Sequence, residues 1–400
     1  MRQLLLFLFA LGLLLAPLPV KAQEDYELSY LLVRRADGQV LEGHQAEKLR
    51  TPASTMKLLT AAAALETLGP EHRYRTALFS NARPERRLRG DLALRGEADP
   101  ELRPEHLEGL AGQLAELGVR QIEGDLVLDE GPFADPPYGP GWAWDDAGES
   151  YAPEVSALAV NGGLLSLPEG FQAPWLRVRP GDSSTVRLIP GREGVELLGP
   201  PPRQLAPPRA AWHTGQLFVQ QLRRKGIRLK GEVKMGQLQG QELATHHSRR
   251  LREILGEALS VSDNRAMELI HRSCGQALPT VLEGQRLRRA DGSGLSRYNL
   301  VSARQLVDVL LDQPELSQLL PGGGEGTLSR RFLQGPAAGQ VRAKTGTLGN
   351  VSGLAGYLFP GTPEECVFAI LINGHVDSTT ERKAIEDALV EGWAAAHRAP

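Results

Sequence analysis

The chain has 400 residues, 41% of them apolar and 23% charged, with a formal charge of -3. That length accommodates two or three domains, and the composition is that of a globular protein rather than a disordered or fibrous one. The slight acidity leaves no electrostatic reason to seek nucleic acid, and nine histidines without a His-x-x-x-His spacing beside two distant cysteines make no zinc site, so neither metal nor cofactor is expected.

The first residues, MRQLLLFLFALGLLLAPLPVKAQ, combine Arg2, an apolar run from Leu4 to Leu15, a proline break and Val20-Lys21-Ala22. This reads as a cleaved export leader over residues 1–22. A membrane anchor is the alternative, but the run falls short of the roughly 20 apolar residues that span a bilayer. Loss of Arg2 and Lys21 takes the formal charge from -3 to -5. Export to the periplasm or cell-wall space permits a bridge between Cys274 and Cys366, and two buried free thiols is the other reading.

After the leader, LSYLLVRRADGQVLEG carries an Ala36-Asp37-Gly38 turn between two apolar stretches, the pattern of a hairpin. TPASTMKLLTAAAALETLGP then predicts a helix from about Ser54 to Leu68, closed by Gly69-Pro70. Ser54 and Lys57, three apart, share a face of that helix. A hydroxyl is a weak nucleophile until a base takes its proton, and a lysine is such a base once burial and nearby positive charge lower its pKa. An isolated Ser-x-x-Lys is weak, because a chain of this length contains about one by chance.

Between 78 and 240 proline and glycine thicken and short strands recur. GDLALRG and GDLVLDEG flank a segment in which Leu107, Leu110, Leu114 and Leu117 recur at helical intervals, giving a strand-helix-strand unit. GQLFVQQLRRKG and GEVKMGQL form a second helix-strand unit. The block reads as an insertion of one or two small domains, about 78–96 with 161–240, and about 97–160. Long helices return from about 248, and two apolar strands near the C-terminus join two near the start in one antiparallel sheet, so that 23–77 and 241–400 form one module split in sequence.

Two further motifs follow: Ser262-Asp263-Asn264 at the head of a helix, and Lys344-Thr345-Gly346-Thr347 just before an apolar strand. After the leader only Lys48, Lys57, Lys225, Lys230, Lys234, Lys344 and Lys383 remain, so two of the few lysines fall in motifs. The ordered set Ser54-x-x-Lys57, Ser262-x-Asn264 and Lys344-Thr345-Gly346 resembles the active-site triplet of penicillin-recognising serine enzymes. The wide gap between the first two motifs is similar to that of the class C low-molecular-mass penicillin-binding proteins, the penicillin-binding protein 4 type of D-alanyl-D-alanine carboxypeptidase/endopeptidase. IEGDLVLDEGPF, GPGWAWDDAGESYAPEVSAL, DGSGLSRYN and VRAKTGTLGNVSGLAGY resemble the same family.

The resemblance implies a multidomain α+β fold, with a transpeptidase/β-lactamase-like domain of antiparallel sheet flanked by helices. It implies Ser54 as nucleophile, Lys57 as general base, Ser262 as proton relay and Asn264 as holder of the substrate amide and of Lys57. Lys344 would lower the pKa of Lys57 and attract the substrate carboxylate. Thr345 and Thr347 would hydrogen-bond that carboxylate beside Gly346, and the Ser54 and Thr347 N–H groups would form an oxyanion hole. Asp146 matches the position of an acid that meets the free amine of the stem peptide's third residue, with Tyr151 at the same pocket; a solvated acidic turn is the alternative. Partners would be peptidoglycan stem peptides and, as covalent inhibitors, β-lactam antibiotics, without a stable membrane span after leader cleavage. The glycine-rich LLPGGGEGTLSRRF lacks the Gly-Lys-Ser/Thr of a phosphate loop and reads as a loop beside the cleft. Two rivals are a β-lactamase, disfavoured because no Leu-Asn pair supplies an E-x-x-L-N segment, and a non-catalytic penicillin-sensing or wall-binding protein.

Overall fold

The computed structural model describes residues 26–133, 136–146, 149–166, 176–179, 185–188, 195–198, 204–376 and 378–397. The leader read at 1–22 lies outside them. The hairpin forms as expected: strands Glu27–Arg34 and Val40–His44 pair antiparallel, and Asp37 Oδ1 accepts from the Gln39 N–H at 3.1 Å to close the turn. This hairpin sits at one side of a five-stranded antiparallel sheet that continues through Cys366–Asn373 and Val351–Leu358 to Val341–Leu348. The two ends of the chain therefore share one sheet. The Lys344-Thr345-Gly346-Thr347 motif precedes the apolar strand Val351–Leu358, as expected, and lies inside a strand of its own, the edge strand Val341–Leu348. Gly346 is tolerated there because the strand backbone closely approaches another segment: a Cβ at this position would meet Pro52 O at 2.7 Å.

Side chains alternate across this sheet with period two. Leu31, Val33, Val367, Ala369 and Leu371 face a core shared with helices Lys57–Leu68, Leu251–Val261 and Ala303–Asp312. Leu32, Phe368, Ile370 and Ile372 face the other way, against Val390 and Trp393 of the C-terminal helix Thr379–His397. The helix Lys57–Leu68 is enclosed all round, every residue from Lys57 to Leu65 being buried, which its run of alanines permits by letting neighbours pack close.

A second five-stranded sheet takes the order Val233–Met235, Leu126–Asp129, Leu92–Gly96, Arg75–Ser80, Gln241–His247. The near-repeats lie side by side as parallel strands, Leu92 opposite Leu126, with the helix Pro104–Glu116 as their crossover. Leu107, Leu110 and Leu114 are buried on its inner face, but Leu117, expected with them, is exposed because the helix ends at Glu116. The helix Ala210–Arg224 leads to Val233–Met235, parallel to Leu126–Asp129. Gln241–His247 pairs with Arg75–Ser80, and the Tyr74 N–H donates to Ser248 Oγ at 2.8 Å where the chain leaves this layer. Both cysteines are buried free thiols. No helix among the described residues is long and apolar enough to cross a membrane.

Candidate active site

Ser54 stands on a single 3-10 turn, Ala53–Met56, that runs into the helix Lys57–Leu68. The turn is entered through Ala53 with φ +48°, a conformation that non-glycine residues seldom adopt. Lys57 follows on the first turn and is fully buried. Its Nζ lies 2.9 Å from Ser54 Oγ and donates to Asn264 Oδ1 at 2.6 Å and to the Ser293 carbonyl oxygen. Both of the latter are acceptors only. In the neutral amine they consume its two N–H groups, and the remaining lone pair is left for the Ser54 hydroxyl.

Burial brings Lys57 down to about 7, against the opposing pull of Asp291, Asp263 and Glu268. Lys344 is itself held well below its ordinary value, by burial first and by Lys57 second, and the repulsion between the two amines is mutual. Lys344 is fully buried on the edge strand, where its Nζ donates to the Thr345 carbonyl at 2.9 Å.

The helix Leu251–Val261 ends at Ser262 in the left-handed conformation, φ +62°, and Asp263 restarts the chain as N-cap of the helix Asn264–Ser273, accepting from the Ala266 N–H at 2.8 Å. This break projects Asn264 at Lys57. The Asn264 amide donates through Nδ2 to the Tyr151 carbonyl at 2.8 Å, which fixes Oδ1 as the atom facing the lysine. The strand bearing Lys344 passes beside the nucleophile, a Cβ on Gly346 coming within 3.1 Å of Ser54 N. Thr345 is buried, whereas Thr347 is exposed. Ser54, Lys57, Asn264 and the Lys344 strand are thus brought together from three distant parts of the chain.

Tyr151 and Asp146 arrive with the central region: the Tyr151 hydroxyl donates to Asp146 Oδ1 at 2.7 Å. A cavity of about 480 Å3 opens beside Ser262 and Asn264, with Ser150, Tyr151, Asp263 and Arg265 also in its wall.

The sequence did not single out three groups at this site. Asp291, fully buried, accepts from Ser293 Oγ at 2.5 Å, the Gly294 N–H at 3.0 Å, Asn299 Nδ2 at 2.6 Å and Trp142 Nε1 at 2.7 Å. Gly294, φ +87°, lies against the nucleophile turn so closely that a Cβ would meet Ala53 O at 2.0 Å. Glu268, paired with Arg272 at 3.1 Å, accepts from the Gly292 N–H at 2.7 Å. The segment DGSGLSRYN, which resembles the family, was the available signal for the first two; nothing local marks Glu268.

Away from this site, Asp99, His106 and His246 bring possible metal-ligating atoms within 4.8 Å of one another. The two imidazoles stack at 3.9 Å and 20°, so their in-plane lone pairs run side by side and do not converge on one ion.

Residues 23–186 and 202–396 match the D-Ala-D-Ala carboxypeptidase 3 (S13) family. The chain is 32% identical to a D-alanyl-D-alanine carboxypeptidase of Actinomadura sp. (strain R39), over 92% of this chain and 82% of that protein. It is 28% identical to the D-alanyl-D-alanine carboxypeptidase DacB of Haemophilus influenzae, over 93% and 90%. The crystal structure of penicillin binding protein 4 from Haemophilus influenzae superposes with a TM-score of 0.80 at 25% identity, covering 92% of this chain and 97% of that one.

Proposed function

Because the chain belongs to the D-Ala-D-Ala carboxypeptidase 3 (S13) family and is a DD-peptidase of the penicillin-binding protein 4 type, we propose that it works through an ester on Ser54. Neutral Lys57 takes the proton of the Ser54 hydroxyl as its oxygen attacks the carbonyl carbon of the penultimate D-alanine. The N–H groups of Ser54 and Thr347 receive the charge that develops on the carbonyl oxygen. The proton passes from Lys57 by way of Ser262 to the departing nitrogen, the C–N bond breaks and the acyl group remains on Ser54. Water then attacks the ester carbonyl and gives its proton to the amine of Lys57, which returns it to Ser54 Oγ as the Oγ–C bond breaks and the shortened peptide leaves.

Thr345 and Thr347, with Lys344, would hold the terminal carboxylate, and Asp146 with Tyr151 would meet an amine on the third residue of the stem peptide. The same pocket accepts a cross-linked D-alanine as it accepts a terminal one, so endopeptidase cleavage is part of this reading. β-Lactams would acylate Ser54 and deacylate slowly. The protein acts on peptidoglycan, and its place is the periplasm or cell-wall space. A two-part arrangement, with the region near 78–240 carried as an insertion on the catalytic module, completes the proposal.

The observation that carries the proposal is a buried lysine amine 2.9 Å from Ser54 Oγ, held there by two fixed carbonyl acceptors. Intact-mass measurement after incubation with benzylpenicillin tests it: one covalent adduct on the wild type and none on Ser54→Ala is expected. An unmodified wild type, or an adduct that persists on Ser54→Ala, overturns it. D-alanine release from a pentapeptide separates the peptidase from a penicillin sensor, which would be acylated without turnover.

A further inference from the structure

The two carbonyl oxygens that orient Lys57 are each tied to the central region of the chain. Asn264 presents Oδ1 to the lysine because its Nδ2 is engaged by the Tyr151 carbonyl. Ser293 presents its carbonyl because the turn from Asp291 to Ser296 is wound around the Asp291 carboxylate, whose Oδ2 accepts from Ser293 Oγ at 2.5 Å, the Ser296 N–H at 3.3 Å and Trp142 Nε1 at 2.7 Å. Trp142 belongs to the same stretch as Tyr151, and its neighbour Gly141, φ +78°, is pressed against that turn: a Cβ there would meet Ser296 Oγ at 2.5 Å. The bonds within the Asp291 turn are buried, and the Trp142 donor that reaches them lies 149 positions from Asp291 in sequence.

We propose that Trp142 and Asp291 are positioning residues for the general base, so that the central region, through the Trp142 indole and the Tyr151 carbonyl, sets the direction of the Lys57 lone pair. The inference rests on Lys57 acting as the base. It adds that the central region is part of the proton-transfer geometry and not only a wall for substrate.

The groups facing Lys57 set the expected signs. Asp291 comes from the turn, Asp263 and Glu268 from the helix Asn264–Ser273 and its cap, and Lys344 from the edge strand. Asp291 is the largest of the carboxylates that favour the ammonium. Removing the indole N–H leaves its charge less neutralised and the turn looser, so Lys57 holds its proton more tightly. Removing the charge itself has the opposite effect.

The test is the pH profile of the second-order rate constant for acylation by benzylpenicillin, with wild type, Trp142→Phe and Asp291→Asn compared. Trp142→Phe is expected to lower the rate constant about 10-fold at neutral pH, the effect of about 1.4 kcal/mol on the barrier. Its acid limb is expected to move to higher pH. Asp291→Asn, where it folds, is expected to move that limb to lower pH. Trp142→Phe keeps the ring and decides the matter if Asp291→Asn does not fold. A folded Trp142→Phe whose profile superposes on that of the wild type, or falls by one factor at every pH, overturns the positioning role. Failure of the wild type to acylate would instead overturn the function proposed above.

Discussion

Burial carries Lys57 from its ordinary value of 10.5 to about 7, although three carboxylates pull the other way. The neutral amine is the working form, so the acylation rate constant should climb as pH rises through about 7 and level off above it, which a pH-rate profile will show. Lys57→Ala should lower acylation about 100- to 10,000-fold, the usual worth of a positioned base. Two buried neighbours make a separate prediction about stability. His271 is pushed down to about 3 by burial, so its contribution is full above its unfolded value of 6.5 and is lost as pH falls toward 3. Glu268 is raised to about 7 by burial, so its contribution is full below 4.5 and is lost as pH rises through 7. Below about pH 4.5 Glu268 is protonated in both states and drops out. His271→Gln should therefore lose less stability than the wild type between pH 4.5 and 3, as measured by urea unfolding at each pH.

At the scale of elements, the active site depends on three pieces of backbone meeting without side chains between them. The nucleophile turn carries strain at Ala53, and Gly294 and Gly346 press on it from two sides. At Gly294 both φ +87° and the 2.0 Å approach to Ala53 O forbid a Cβ. Gly294→Ala should cost about 2–3 kcal/mol in urea unfolding and displace Ser54 as well. Gly346→Ala meets Pro52 O at 2.7 Å on an edge strand, which can shift outward. It should cost less stability but slow acylation at least as much, so comparing the two variants separates a folding constraint from a catalytic one. The Asp291 turn joins these elements, since one carboxylate organises the loop that touches both Lys57 and Gly294's neighbour Ser54.

For the whole molecule, the sheet built from both chain ends makes folding of the catalytic layer non-local. Strand Glu27–Arg34 lies between Val40–His44 and Cys366–Asn373, with Leu31 opposite Ala369 and Leu32 opposite Phe368. Hydrogen exchange should show the amides of these two strands opening as one unit despite their separation in sequence. Deletion of Thr379–His397 would uncover the face of Phe368 and Ile370 and leave Glu42 without the Trp393 indole that donates to it at 3.0 Å, so a loss of soluble yield is expected. Cys274 and Cys366 are unpaired, so thiol titration without reductant should find both in denaturant and neither readily in the native protein.

What the sequence by itself determined is whatever rests on local spacing: the hairpin, the Ser54 helix, the helix headed by Ser262-Asp263-Asn264, the strand-helix-strand unit of the two near-repeats, and the three motifs whose order identified the family. Short-range periodicity and capping chemistry suffice for these. Only tertiary structure decided that burial brings Lys57 down to about 7, that the Lys344 motif lies within an edge strand, and that Trp142 donates to Asp291 while Glu268 accepts from the Gly292 N–H. Solvation and hydrogen bonding between segments 149 residues apart, such as Trp142 and Asp291, leave no periodic trace in the chain, because they depend on which surfaces meet and exclude water.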